Sequence, residues 1–130
     1  MKKTLLAIVA VFVSWQVLDF VIHNVILSST YAATQELWRP MEEMKMGLMM
    51  FVSIVSAACF VLVYNWFFKE KNMMTGMKYG LIFGIGVGIS MGYGTYSVQP
   101  ILYSTALGWL LGTVVETTIA GLITGLIIKD

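Results

Sequence analysis

The stretch from Tyr79 to Ser97 constrains this chain most. It is uncharged and places glycines at Gly80, Gly84, Gly88 and Gly92, with Gly86 and Gly94 between them. A four-residue glycine spacing lays one bare stripe along a helix. A second series with the same spacing follows: Gly108, Gly112, Glu116, Ala120 and Thr124. The turn between them, Val98-Gln99-Pro100, is tight. The pattern predicts two antiparallel membrane helices in close backbone contact, with the Glu116 carboxyl held in their seam.

Composition supports a membrane setting. Of 130 residues, 58% are hydrophobic and 12% charged, where a soluble domain carries about a quarter charged. The apolar residues fall in long runs, and a run of roughly 18 or more without charge reads as a membrane span. The expected fold is all-α, a single integral membrane four-helix bundle with spans near 5–27, 47–68, 79–97 and 104–128. Small residues let such helices touch, since in lipid no hydrophobic force drives helix against helix.

Along the chain, Lys2 and Lys3 precede an apolar core in the manner of a secretory signal. Asp19 and His23 lie where a signal core is apolar, and the run exceeds the 7–15 residues of a signal. An uncleaved first span is therefore expected. A polar, aromatic-flanked connector follows, with Tyr31, Glu36, Trp38 and Arg39. Pro40 is expected to open the next helix, with Glu42 and Glu43 in its first turn. Thr75 is expected to cap the third helix. Lys2, Lys3, Lys69, Lys71, Lys78 and Lys129 fall on one side, against Arg39 and Lys45 on the other. The positive-inside rule then places both termini in the cytoplasm.

Several function classes find no support. A net charge of +1 without a dense basic patch argues against nucleic acid. The lone Cys59 forms no intrachain disulfide or redox pair. No hydrolase elbow, phosphate loop, zinc signature or dinucleotide fingerprint is present, and the one histidine excludes bis-His haem within the chain. Neither enzymatic activity nor a cofactor is expected.

The candidates for chemistry are intramembrane polar groups. Glu116 lies near the middle of its apolar run, where a carboxylate costs at least about 2.5–3.5 kcal/mol unless it faces protein or water. It is either structural glue or a group that passes a proton or binds a cation. Gln16, Asp19 and His23 share one face of the first helix, and Asp19 and His23 can pair. At about 1.5 Å per residue, Gln16 is level with Glu116 and Ser90 with Asp19, with Tyr93 and Tyr96 above. These groups form either a hydrogen-bonded core pairing or a polar column open to the outside. Met41, Met44, Met46, Met49 and Met50 crowd the second entry. Their thioethers suit Cu(I) with His23 nearby, or simply fill irregular apolar surface.

The layout resembles that of uncharacterised small four-helix bacterial membrane proteins. The shared features are a first span ending in Asp19 and His23, a Tyr31…Trp38 connector, and glycine-rich third and fourth spans. The resemblance implies a bacterial inner membrane and carries no activity. The leading expectation is a non-enzymatic structural or accessory subunit. Its glycine faces Gly80, Gly84, Gly88, Gly92, Gly108, Gly112 and Ala120 would pack against copies of itself or a larger complex in the bilayer. The alternatives are a small transporter or proton/cation pathway using Glu116, Asp19 and His23, and a Cu(I)-handling protein using the outer methionines.

Overall fold

The structure, a computed structural model, describes all residues Met1–Asp130. It is all-α, with four helices long and apolar enough to cross a membrane: Lys2–Ile26, Met46–Phe67, Met73–Val98 and Tyr103–Ile127. The first comprises α1, Lys2–Asp19, continued by a π-helical stretch, Phe20–Ile26. A short helix α2, Ser28–Ala32, and two 3₁₀ turns, Gln35–Leu37 and Met41–Glu43, form the connector. Then come α3, Met46–Phe67, α4, Met73–Val98, and α5, Tyr103–Ile127.

Only 24 of the 130 residues are buried, while Leu5, Val9, Val13, Phe51, Ile82 and Leu111 stand outward. Apolar side chains distributed over every long helix in this way suit a hydrocarbon solvent better than water.

Four local expectations change. Pro40 does not open α3; it precedes the 3₁₀ turn that holds Glu42 and Glu43, and α3 begins at Met46. The third span starts earlier than residue 79, at Met73. Its cap is Asn72, whose Oδ1 accepts the Thr75 backbone N–H at 2.9 Å. Thr75 is therefore the capped residue and not the cap, because Asn72 is extended and free to fold its side chain back over the first turn.

The fourth and largest correction concerns the seam. The α4 stripe Gly76, Gly80, Gly84, Gly88 and Gly92 does lie against α5, in antiparallel register. A Cβ at Gly76 would strike the carbonyl of Gly121, at Gly80 that of Thr117, and at Gly92 that of Ala106. Gly84 faces Thr117 and Val114, and Gly88 faces Leu110. The α5 stripe in this seam is thus Ala106, Leu110, Val114, Thr117, Gly121 and Gly125. Gly108 and Gly112 point elsewhere, onto Leu27 and Ile22 of the first helix. Ala120 is fully buried in the core cluster with Ala7, Val11 and Trp15. So α5 carries two faces of small residues, one for α4 and one for α1, and Glu116 belongs to the second. Thr117 and Thr124 tolerate burial because their hydroxyls donate back to the Thr113 and Ala120 carbonyls at 2.9 and 2.7 Å.

The α3 helix joins through its second half. Ala57, Phe60, Val61 and Tyr64 are buried, whereas Gly47–Val52 is exposed throughout. Tyr79 stacks on Phe60 at 4.5 Å and donates its hydroxyl to the Phe60 carbonyl at 2.7 Å. At the same end Tyr64 donates to the Ile128 carbonyl at 2.7 Å, and the Asp130 N–H to the Lys71 carbonyl at 2.8 Å. The last residues are thereby tied to the α3–α4 loop.

Candidate functional site

The site lies where the first helix leaves the α-helical period. Asp19 is the last residue of α1, and His23 sits inside the π-helical stretch. There hydrogen bonds run i→i+5, as from the Leu27 N–H to the Ile22 carbonyl at 2.9 Å. Residues five apart then stack one above the other. That spacing seats Ile22 over Gly112 and Leu27 over Gly108, so five residues of the first helix match four of α5. The two glycines let the α1 extension approach α5 closely. Beside this contact a cavity of about 200 Å³ opens.

Asp19, His23, Trp109, Thr113 and Glu116 line the cavity together with Met91 and the glycine floor. Asp19 and Glu116 come from different helices and lie close enough for their carboxyl groups to interact directly. His23 Nε2 is 3.7 Å from Asp19 Oδ1. The three ionisable groups therefore form one continuous set, Glu116–Asp19–His23, within otherwise apolar spans.

An aromatic group closes one side. The Trp109 indole N–H donates to the Tyr31 hydroxyl oxygen at 2.7 Å. His23 Nδ1 lies 2.5 Å from the same oxygen. An indole nitrogen only donates, so Tyr31 accepts from Trp109 and directs its own O–H to His23 Nδ1. The imidazole proton is then on Nε2, the nitrogen turned toward Asp19. The Tyr31 ring stacks on His23 at 5.9 Å and meets Trp38 edge-on at 5.3 Å. Trp38 meets Trp109 edge-on at 6.2 Å and donates to Thr34 Oγ1 at 3.1 Å. Burial, the largest influence on Tyr31, raises its pKa above the ordinary 10.0, so its hydroxyl stays a donor to His23.

The expected intramembrane polar groups are gathered only in part. Asp19, His23 and Glu116 are brought together. Gln16 is half-buried and stands outside the cavity. Ser90 is exposed on the outward side of α4, and Met91 takes the place expected for it. Tyr93 and Tyr96 belong to a separate aromatic group around Tyr103, with Tyr93 and Tyr103 hydroxyls 2.9 Å apart. Met41, Met44 and Met46 are exposed, and none lines the cavity. No group of three or more His, Cys, Asp or Glu side chains has a geometry to hold a metal ion. Sequence reasoning missed Trp109. Its signal was an indole N–H within an apolar run, which demands an acceptor where it is buried.

No family model, curated protein or solved structure matches the chain.

Proposed function

We propose that this multi-pass membrane protein moves a proton or a small monovalent cation through the cavity between its first and last spans. The reading rests on one observation: Asp19 and Glu116, far apart in sequence, meet on the wall of one cavity with His23 beside them. Ionisable groups inside spans are functional candidates by default, because structural needs are met at lower cost by neutral ones. Two facing carboxyls favour a state with one proton or one cation between them. Exchange of the one for the other is the step such a pair performs. His23 carries its proton toward Asp19 and is the natural link between the pair and the Tyr31 side. With the lysine-rich side cytoplasmic, this site opens toward the periplasmic half of a bacterial inner membrane.

The test is flux in proteoliposomes. A trapped pH indicator reports protons, and ion-selective dyes report sodium and potassium. Wild type is expected to show flux that Glu116→Gln and Asp19→Asn each reduce at least about tenfold while helicity and elution volume persist; a group contributing about 1.4 kcal/mol to passage has that effect. No flux of any of the three ions above empty vesicles defeats the reading, as does full flux in both variants.

A second reading, the structural subunit, keeps one favourable observation. The α4 stripe is covered by α5, but Gly86 and Gly94 face outward with nothing within 4 Å, and exposed Ser90 lies between them. Small residues on an outer face permit close approach by another helix. If that contact is the function, Gly86→Leu and Gly94→Leu change the particle mass on native gels, and an unaltered mass in both removes it.

A further inference from the structure

The lysine-rich end of the bundle carries a second concavity unrelated to the ionisable set. It is an open groove of about 380 Å³ on the face of α4 turned away from α5. Phe68, Tyr79, Ile82 and Phe83 wall it, and Thr75 and Lys78 stand at its polar end. The Tyr79 hydroxyl is engaged with the Phe60 carbonyl, so the tyrosine contributes only its ring. Ile82 is 71% exposed although wholly apolar. Thr75 and Lys78 are three residues apart, hence neighbours on one helix face.

The cation at this groove is unengaged. No lysine is ion-paired with a carboxylate, and the one such contact in the chain is His23–Asp19. Lys71 directs its Nζ to the Phe68 carbonyl at 2.6 Å, and Asp130 accepts the Lys71 backbone N–H at 3.1 Å. Lys78 is exposed and bonds to neither. Six lysines, Lys2, Lys3, Lys69, Lys71, Lys78 and Lys129, face Glu70 and Asp130 at this end. The groove therefore asks for an amphiphile: an anionic oxygen cluster for Lys78 and Thr75, continuous with hydrocarbon for the aromatic walls. Lys78 lies about 7.5 Å of helix rise beyond Met73, and its flexible stem brings the ammonium to headgroup level.

We infer that the groove lined by Phe68, Tyr79 and Phe83 beneath Lys78 and Thr75 is a binding site for an anionic phospholipid. Lys78 meets the phosphate as a point charge, the Thr75 hydroxyl donates to a phosphate oxygen, and an acyl chain lies along Ile82 and Phe83. A free phosphate would find one lysine and one hydroxyl, with no use for the apolar walls.

Native mass spectrometry in mild detergent tests the site, with dioleoylphosphatidylglycerol and dioleoylphosphatidylcholine added at equal concentration. Wild type is expected to retain the anionic lipid about fivefold more, the weight of one lysine near an anionic headgroup. Lys78→Gln loses this preference, Lys78→Arg keeps it, and Lys69→Gln keeps it. Phe83→Ala weakens retention of both lipids. Inorganic phosphate in excess does not displace the bound lipid. Equal retention of the two lipids by wild type overturns the inference. So does a preference that survives Lys78→Gln, falls equally in Lys69→Gln, or yields to inorganic phosphate.

Discussion

The Trp15 indole N–H donates to the backbone carbonyl of Glu116 across 3.0 Å, joining residues 101 positions apart. It fixes the first span against the last at the depth where the Glu116 carboxyl enters the cavity. Trp15 is also edge-on to Phe60 at 5.8 Å, so one side chain ties α1 to both α5 and α3. Glu116 is thereby held by its backbone while its carboxyl faces Asp19.

Trp15→Phe keeps most of the apolar contact and removes the donor. The expected loss is about 0.5–1.5 kcal/mol, the net worth of one hydrogen bond, read as a lowered midpoint in mixed-micelle unfolding. A midpoint equal to wild type would show that this bond does not hold the two spans.

The seam predicts opposite outcomes for two glycines of one helix. A Cβ at Gly80 would fall on the Thr117 carbonyl, whereas one at Gly86 meets nothing within 4 Å. Gly80→Ala must push two backbones apart, and is expected to destabilise by about 1–3 kcal/mol. Gly86→Ala is expected to be neutral or to stabilise by up to about 1 kcal/mol through helix propensity. The same unfolding assay compares them, and equal effects would contradict the register described.

Tyr31 sets the state of His23. In wild type the ¹⁵N spectrum of His23 should show the proton on Nε2. Tyr31→Phe removes the donor to Nδ1 and strands the Trp109 N–H, so a mixture of ring forms is expected. Loss of that acceptor costs about 1–3 kcal/mol. An unchanged histidine spectrum would mean that Asp19 alone orients the ring.

The same tyrosine gives a pH dependence. Burial raises the Tyr31 pKa above 10.0 in the folded chain, so the folded state holds this proton more tightly than the unfolded. Its contribution to stability is full below pH 10.0 and is lost as pH rises through the folded value. Ultraviolet titration should show a late-ionising tyrosine component in the folded wild type, and that component should shrink by one tyrosine in Tyr31→Phe.

Asn72→Ala should cost about 1 kcal/mol by removing the cap of α4, whereas Thr75→Val leaves the cap intact, since Thr75 supplies only a backbone N–H. Comparable losses in the two variants would put the cap elsewhere.

The number of long apolar helices was legible in the sequence because each helix satisfies its own backbone within one apolar run, whereas the start of the third, at Met73, was not. The α4 stripe was legible for a similar reason, since four-residue periodicity is a property of a single helix. Which neighbour each face meets was not readable. Two small-residue faces on α5 are equivalent until α1 and α4 are placed around it, and the Gly108–Gly112–Glu116 face turned to α1. The π-helical stretch at Phe20–Ile26 left no mark in the sequence, yet it seats Ile22 and Leu27 on two glycines. Tyr31 and Trp109 meet across 78 positions, a pairing that no local period encodes. A single helix's geometry is decided by neighbouring residues, whereas a site built between helices is decided by rotation and register, which only packing sets.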